Sequence, residues 1–180
     1  MSSRKDARAT HSPGERGFTL IELLIVIAVI GVLAAILLAA VDPNKRLKDS
    51  RDARRSAEVN AILNAVLNYI IDNKGTIPSA IDSRATSSQI IGSSTLCGGA
   101  ALCNEATGGE TVWNCADLAG DLVDPYLGDV PVDPRGVDLN VATGTYDVSR
   151  TGYWINKTVN GRIEVGSCNH EGTSAIRIVR

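Results

Sequence analysis

Glu22 is the one charged side chain in a run of 24 residues from Phe18 to Val41. In hydrocarbon an isolated carboxylate is unfavourable by about 2.5–3.5 kcal/mol, so Glu22 needs a cation that its own segment does not contain. The other residues able to do chemistry are four cysteines, two histidines and a series of aspartates. Four cysteines (Cys97, Cys103, Cys115 and Cys168) suggest an oxidising compartment and two disulfides, with three possible connectivities. The expected pairs are Cys97–Cys103 and Cys115–Cys168, the second closing a long loop onto the C-terminal region. Zinc fits poorly: there is no C-x-x-C, and His170 is the only histidine beyond His11. Asp124, Asp129, Asp133 and Asp138 offer oxygen ligands for calcium, but their spacing is not that of an EF-hand and aspartate is also a turn residue. No phosphate loop, nucleophile elbow or dinucleotide fingerprint occurs. The chain does not read as an enzyme.

The apolar run would be about 36 Å long as a helix, enough to cross a bilayer core of about 30 Å. Small residues at Gly31, Ala34, Ala35, Ala39 and Ala40 would let neighbouring helices approach closely in lipid. Residues 1–17 are polar and read as a dispensable leader. A conventional secretory signal is the rival reading, but its apolar region is usually shorter, about 7–15 residues, and it ends at small residues. Leu38 stands where one would be needed for cleavage after Ala40. Asp42-Pro43-Asn44 interrupts the run, and helical periodicity then resumes. Val59, Ile62, Leu63, Val66 and Ile70 form one apolar face, and Gly75 marks its stop. Between them Arg51, Arg54 and Arg55 alternate with Asp49, Asp52 and Glu58. These charges read as a solvated face with weak local pairs, or as a lateral contact with other subunits or headgroups.

Residues 76–180 are long enough for one modest core shared with the amphipathic helix. From Val59 onward there are 8 Lys/Arg against 13 Asp/Glu, an acidic balance that argues against nonspecific DNA binding. Thr76 to Thr111 reads as a connecting region, Trp113 to Leu122 as a short helix, and Asp124 to Pro134 as a turn-rich linker. Two strands flank Asn160-Gly161, and a two-residue turn there would set Lys157 opposite Glu164. Trp154, Ile163 and Val165 would then face the helix together. Ala175 to Val179 supplies a third strand.

Gly17-Phe18-Thr19-Leu20-Ile21-Glu22-Leu23-Leu24 resembles the class III signal of type IV pilins and of type II secretion pseudopilins. The resemblance covers about 25 residues closely. It implies cleavage between Gly17 and Phe18 by a prepilin peptidase, which also methylates the new Phe18 amino group. Glu22 becomes the fifth mature residue and Gly31 the fourteenth. The proline common at mature position 22 is absent, since Ala39 stands there. The resemblance also gives Glu22 a partner, the Phe18 amine of a neighbouring subunit; otherwise Glu22 would snorkel to the headgroups.

The expected fold is α+β and pilin-like: a long N-terminal helix, apolar then amphipathic, packed on a small antiparallel sheet. The expected divisions are a leader at 1–17, an assembly half at 18–41, an amphipathic half at 42–75 and an extracytoplasmic domain at 76–180. The function implied is a subunit of a type IV pilus for adhesion, motility or DNA uptake, or a pseudopilin. Either would be stored in the inner membrane and polymerised by an assembly ATPase and platform proteins into a homo-oligomeric helical filament. No cofactor is expected beyond a weak calcium candidate. Orientation rests on the resemblance, because four Lys/Arg precede the span and six follow it between Lys45 and Arg55, against the positive-inside rule. The alternative of another class is an uncleaved, membrane-anchored binding module.

Overall fold

The computed structural model describes residues 17–40, 42–85, 87–95, 97, 103, 115–136 and 145–180. It divides into two units, Met1–Asp42 and Pro43–Arg180. The first contains helix α1, Leu20–Ala40. From Leu20 to Leu38 every side chain is exposed within the protein, and among the described residues this is the one helix long and apolar enough to cross a membrane.

The second unit opens with α2, Pro43–Asp72. The single helix expected over 18–74 is therefore two helices, with Asp42 non-helical between them. Pro43 lacks the N–H that an unbroken helix would need there, but is well suited to a first helical position. Val59, Ile62, Leu63 and Val66 are buried, as their spacing predicts, and Ile70 packs partly buried beside them. The helix ends on a left-handed residue, Lys74 (φ 56°). The Gly75 N–H donates to the Ile70 carbonyl at 2.7 Å and the Lys74 N–H to that of Ile71 at 3.3 Å, the paired bonds of a Schellman cap.

Four strands form an antiparallel sheet in chain order: β1 (Gln89–Ile90), β2 (Tyr153–Lys157), β3 (Ile163–Ser167) and β4 (Arg177–Val179). β1 lies inside the stretch read from sequence as a connecting region. The helix expected over 113–122 is reduced to α3, Ala119–Leu122; Trp113 lies outside the described residues. Ala116 is extended instead, its N–H donating to the Ile90 carbonyl at 2.8 Å and its carbonyl accepting from the Gly92 N–H at 3.0 Å.

The β2–β3 register departs from expectation by one residue. Lys157 stands opposite Ile163 and Asn156 opposite Glu164. The loop has three residues rather than two: the Gly161 N–H donates to the Thr158 carbonyl and the Thr158 N–H to that of Arg162, both at 2.8 Å. Gly161 sits at φ 76°, the left-handed residue that follows the turn and forms a bulge. Because side chains alternate, a one-residue slip moves a whole strand to the other face. Tyr153, Ile155, Ile163 and Val165 meet α2, whereas Trp154 does not.

Trp154 packs on the opposite face, in a second core with Ile90, Cys97, Cys103 and Cys168. The disulfides also correct the expected pairing: Cys97 joins Cys115 and Cys103 joins Cys168. Cys103 is thereby drawn from within the 97–115 loop onto the end of β3, where it covers the tryptophan. Gly166 lies directly across from Trp154, and a Cβ there would fall 2.5 Å from the indole ring.

Peptide mapping without reduction should recover Cys97–Cys115 and Cys103–Cys168. Gly166→Ala should lower stability by about 1–3 kcal/mol through overpacking against Trp154, read as a lower urea midpoint for the purified full chain in detergent.

Candidate processing and assembly site

Helix α1 starts because Thr19 caps it: the Glu22 N–H donates to Thr19 Oγ1 at 3.2 Å. Thr19-x-x-Glu22 is thus a capping box on the side that the structure shows, a local role for Thr19 that the sequence reading missed although the spacing signals it. Glu22 is exposed among exposed Leu, Ile and Val. Among the described residues no side chain pairs with its carboxylate, and α1 carries no Lys or Arg. Phe18 is 86% exposed and precedes the helix. The bond between Gly17 and Phe18 is therefore accessible at a helix start, with Glu22 about one turn further on. An added Cβ would touch nothing at Gly17 or at Gly31. Crowding among the described residues therefore does not account for glycine at either position.

The charged part of α2 keeps one expected local pair, exposed Arg54 with Glu58, but Arg55 is not on a solvated face. Arg55 is fully buried. Its Nε donates to Asp133 Oδ2 at 2.7 Å and its Nη2 to Asp133 Oδ1 at 2.9 Å, a two-pronged clamp across the fold. Its Nη1 reaches Asp52 Oδ1 at 2.7 Å. Asp52 in turn accepts from the Glu171 N–H at 3.0 Å and the Gly172 N–H at 2.7 Å, while Arg51 Nε donates to Glu171 at 3.0 Å. One turn on, Glu58 takes Arg54 on one oxygen and the Tyr153 hydroxyl on the other. Helix, linker and C-terminal loop are thereby stitched together by side chains far apart in sequence.

The electrostatics follow from these partners. Burial alone would raise the Asp52 carboxyl, but Arg55 and the two backbone N–H groups outweigh it and hold the group below its ordinary value. Hydrogen bonding to Arg51 does the same for Glu171. Burial works against the Arg55 guanidinium, and its two carboxylates overcome that and raise its pKa. Burial, then Glu58, pushes the Tyr153 hydroxyl up.

Of the four aspartates considered for calcium, the three that the structure describes are engaged separately. Asp133 is held by Arg55. Asp124 occupies a left-handed turn at φ 75°, Asp129 accepts from the Val130 N–H at 2.8 Å, and Asp138 lies outside the described residues. Among the described residues no three His, Cys, Asp or Glu side chains group as metal ligands would.

With Gly17, Phe18 and Glu22 at the start of an exposed apolar helix, comparison decides what this arrangement is. Residues 13–38 match the family model of the prokaryotic N-terminal methylation motif. The chain carries the class III signal of type IV pilins and pseudopilins. That signal, with an apolar helix behind it, fits membrane anchoring of a precursor and implies processing by a prepilin peptidase. No curated protein and no solved structure matches the chain. The class III signal accounts for Gly17, Phe18 and Glu22, while the clamp around Arg55 lies outside its residues.

Asp133→Ala leaves the Arg55 charge buried and half-compensated and should cost about 3–5 kcal/mol, read by urea denaturation. Asp52 and Glu171 have depressed folded-state pKa values, so their stabilisation is present above the unfolded values of about 4 and lost as pH falls through the folded ones. Thermal stability should therefore drop as pH is lowered from about 4 toward 2, and the drop should be smaller in Asp52→Asn.

Proposed function

We propose that this chain is the precursor of a structural subunit of a type IV pilus. The observation that carries the reading is the class III signal set on a helix whose apolar surface is wholly uncovered by its own protein. Removal of residues 1–17 would leave an amine on Phe18, and methylation keeps its positive charge. That amine is the cation Glu22 lacks. Two buried charges that cancel are tolerable where either alone is not, so the pair would set the register between neighbours more than it adds net stability.

In the membrane the subunit waits with its domain on the extracytoplasmic side, where the two disulfides form. An assembly ATPase and platform protein then draw it into a helical filament at the cell surface. Each apolar helix exchanges lipid contacts for helix contacts, so little apolar free energy is lost. The chain is the substrate of a processing enzyme and is not itself an enzyme. Its role is mechanical: adhesion or motility, with DNA uptake disfavoured by the acidic domain.

Mass spectrometry of the mature chain should find an N-terminus at Phe18 bearing one methyl group; an intact leader would overturn the reading in favour of an anchored module. Glu22→Ala should leave the disulfide-bonded domain intact and abolish filaments under the electron microscope. Loss of protein secretion, with surface pili unaffected, on deleting the gene would instead identify a pseudopilin.

A further inference from the structure

Helix α2 keeps two sets of charge apart. Arg46 and Lys48 stand exposed in its first two turns, and neither has a partner among the described residues. Arg51 and Arg55, just beyond, are engaged in the clamp. α3 packs on the same helix, and the loop after it reaches the far end. There the Tyr126 hydroxyl donates to Asp72 at 2.8 Å, and the Tyr126 ring meets Tyr69 edge-on at 6.2 Å. From residue 48 to residue 72 the helix rises about 36 Å.

Beside α3 lies a cavity of about 220 Å³. Its floor is the buried pair Ile91 and Leu118, its walls include Val130 and Val148, and Asp117 and Asp129 stand at its rim. Each carboxylate has one oxygen tied to a local backbone N–H, Asp117 to Ala119 at 3.1 Å and Asp129 to Val130 at 2.8 Å. Neither is paired with a cation among the described residues. The volume is below the roughly 300–1,000 Å³ of small-molecule sites and suits one side chain. An apolar floor under a carboxylate rim matches a side chain with an aliphatic stem and a cationic head, which is lysine or arginine.

The chain's own Arg46 and Lys48, exposed in the first two turns of α2, are not among the residues that line this cavity. We infer that this cavity receives Arg46 or Lys48 from the α2 of a second copy of the chain, head to tail. Such a contact joins two different patches, and where it is not reciprocated within a pair or closed into a ring it propagates from copy to copy into an open helical array, with complementary charge fixing which ends meet. The choice of occupant rests on the filament reading above.

The test places a photo-crosslinking amino acid at Val148, an exposed wall residue, in the full chain expressed with its assembly machinery. Mass spectrometry should find it joined to the peptide containing residues 46–48 of another copy. A crosslink to lipid, to a different protein or to another segment of this chain overturns the docking, as do intact filaments with no crosslink. Absence of filaments from the unmodified chain overturns the filament reading and the occupant with it. In a second arm, Asp117→Lys with Asp129→Lys should lower filament yield at least about tenfold, and adding Arg46→Glu with Lys48→Glu should restore it. Oxidised, protease-resistant subunits that the compensating changes fail to restore would also overturn the inference.

Discussion

A helix with every side chain from Leu20 to Leu38 uncovered cannot rest in water. At roughly 25 cal/mol per Å² of apolar surface, the cost of exposing it exceeds the roughly 5–15 kcal/mol by which folded domains are usually stable. Exposed along its length, α1 needs a covering, and a bilayer or a set of identical helices would each supply one. Because the two coverings are chemically alike, passage between them is nearly neutral in apolar free energy. What distinguishes them is Glu22. Lipid offers it only a route to the headgroups, whereas in the proposed filament a neighbour would offer it an amine.

Freed from that burden, the second unit is organised around a sheet covered on both faces by different means. One face is closed by α2 in the ordinary way, with Val59, Ile62, Leu63 and Val66 on Tyr153, Ile155, Ile163 and Val165. The other is closed by a tryptophan lying over Gly166 and roofed by cystine sulfur. A chain with one Phe and two Trp has little aromatic surface to spend, so disulfides complete a core that side-chain volume alone would leave thin. The Arg55 clamp then fixes the early part of α2 to Asp133 and to the loop at Glu171 and Gly172. Its cost in desolvation is high, and what it supplies is that direct tie between helix, linker and loop.

The legible parts of this molecule were those written contiguously. Gly17 through Leu24 is a local motif, and the apolar face of α2 is a period. The β2 and β3 strands announce themselves by composition. The register between them does not, because Asn160-Gly161 suits a two-residue turn and a three-residue turn equally well, and hydrogen bonding at Thr158 decides between them. Arg55 and Asp133 are 78 residues apart, so nothing local marks Arg55 as different from Arg54 beside it. The disulfide partners are likewise far apart in sequence, 18 residues for Cys97–Cys115 and 65 for Cys103–Cys168. At the assembly site, Thr19 was readable from its spacing to Glu22, whereas the cavity beside α3 has its lining drawn from four separate stretches.

The three-residue turn carries a consequence for how this domain can vary over time. Val159 at its tip is 81% exposed, and its side chain is free to change. The number of residues between Thr158 and Arg162 is not. Removing one residue would return the strands to the two-residue register and put one strand on the wrong face, turning either Trp154 toward α2 or Ile163 and Val165 away from it. Lineages of this domain should therefore accept almost any substitution in the turn while holding its length fixed, and they should take their insertions elsewhere.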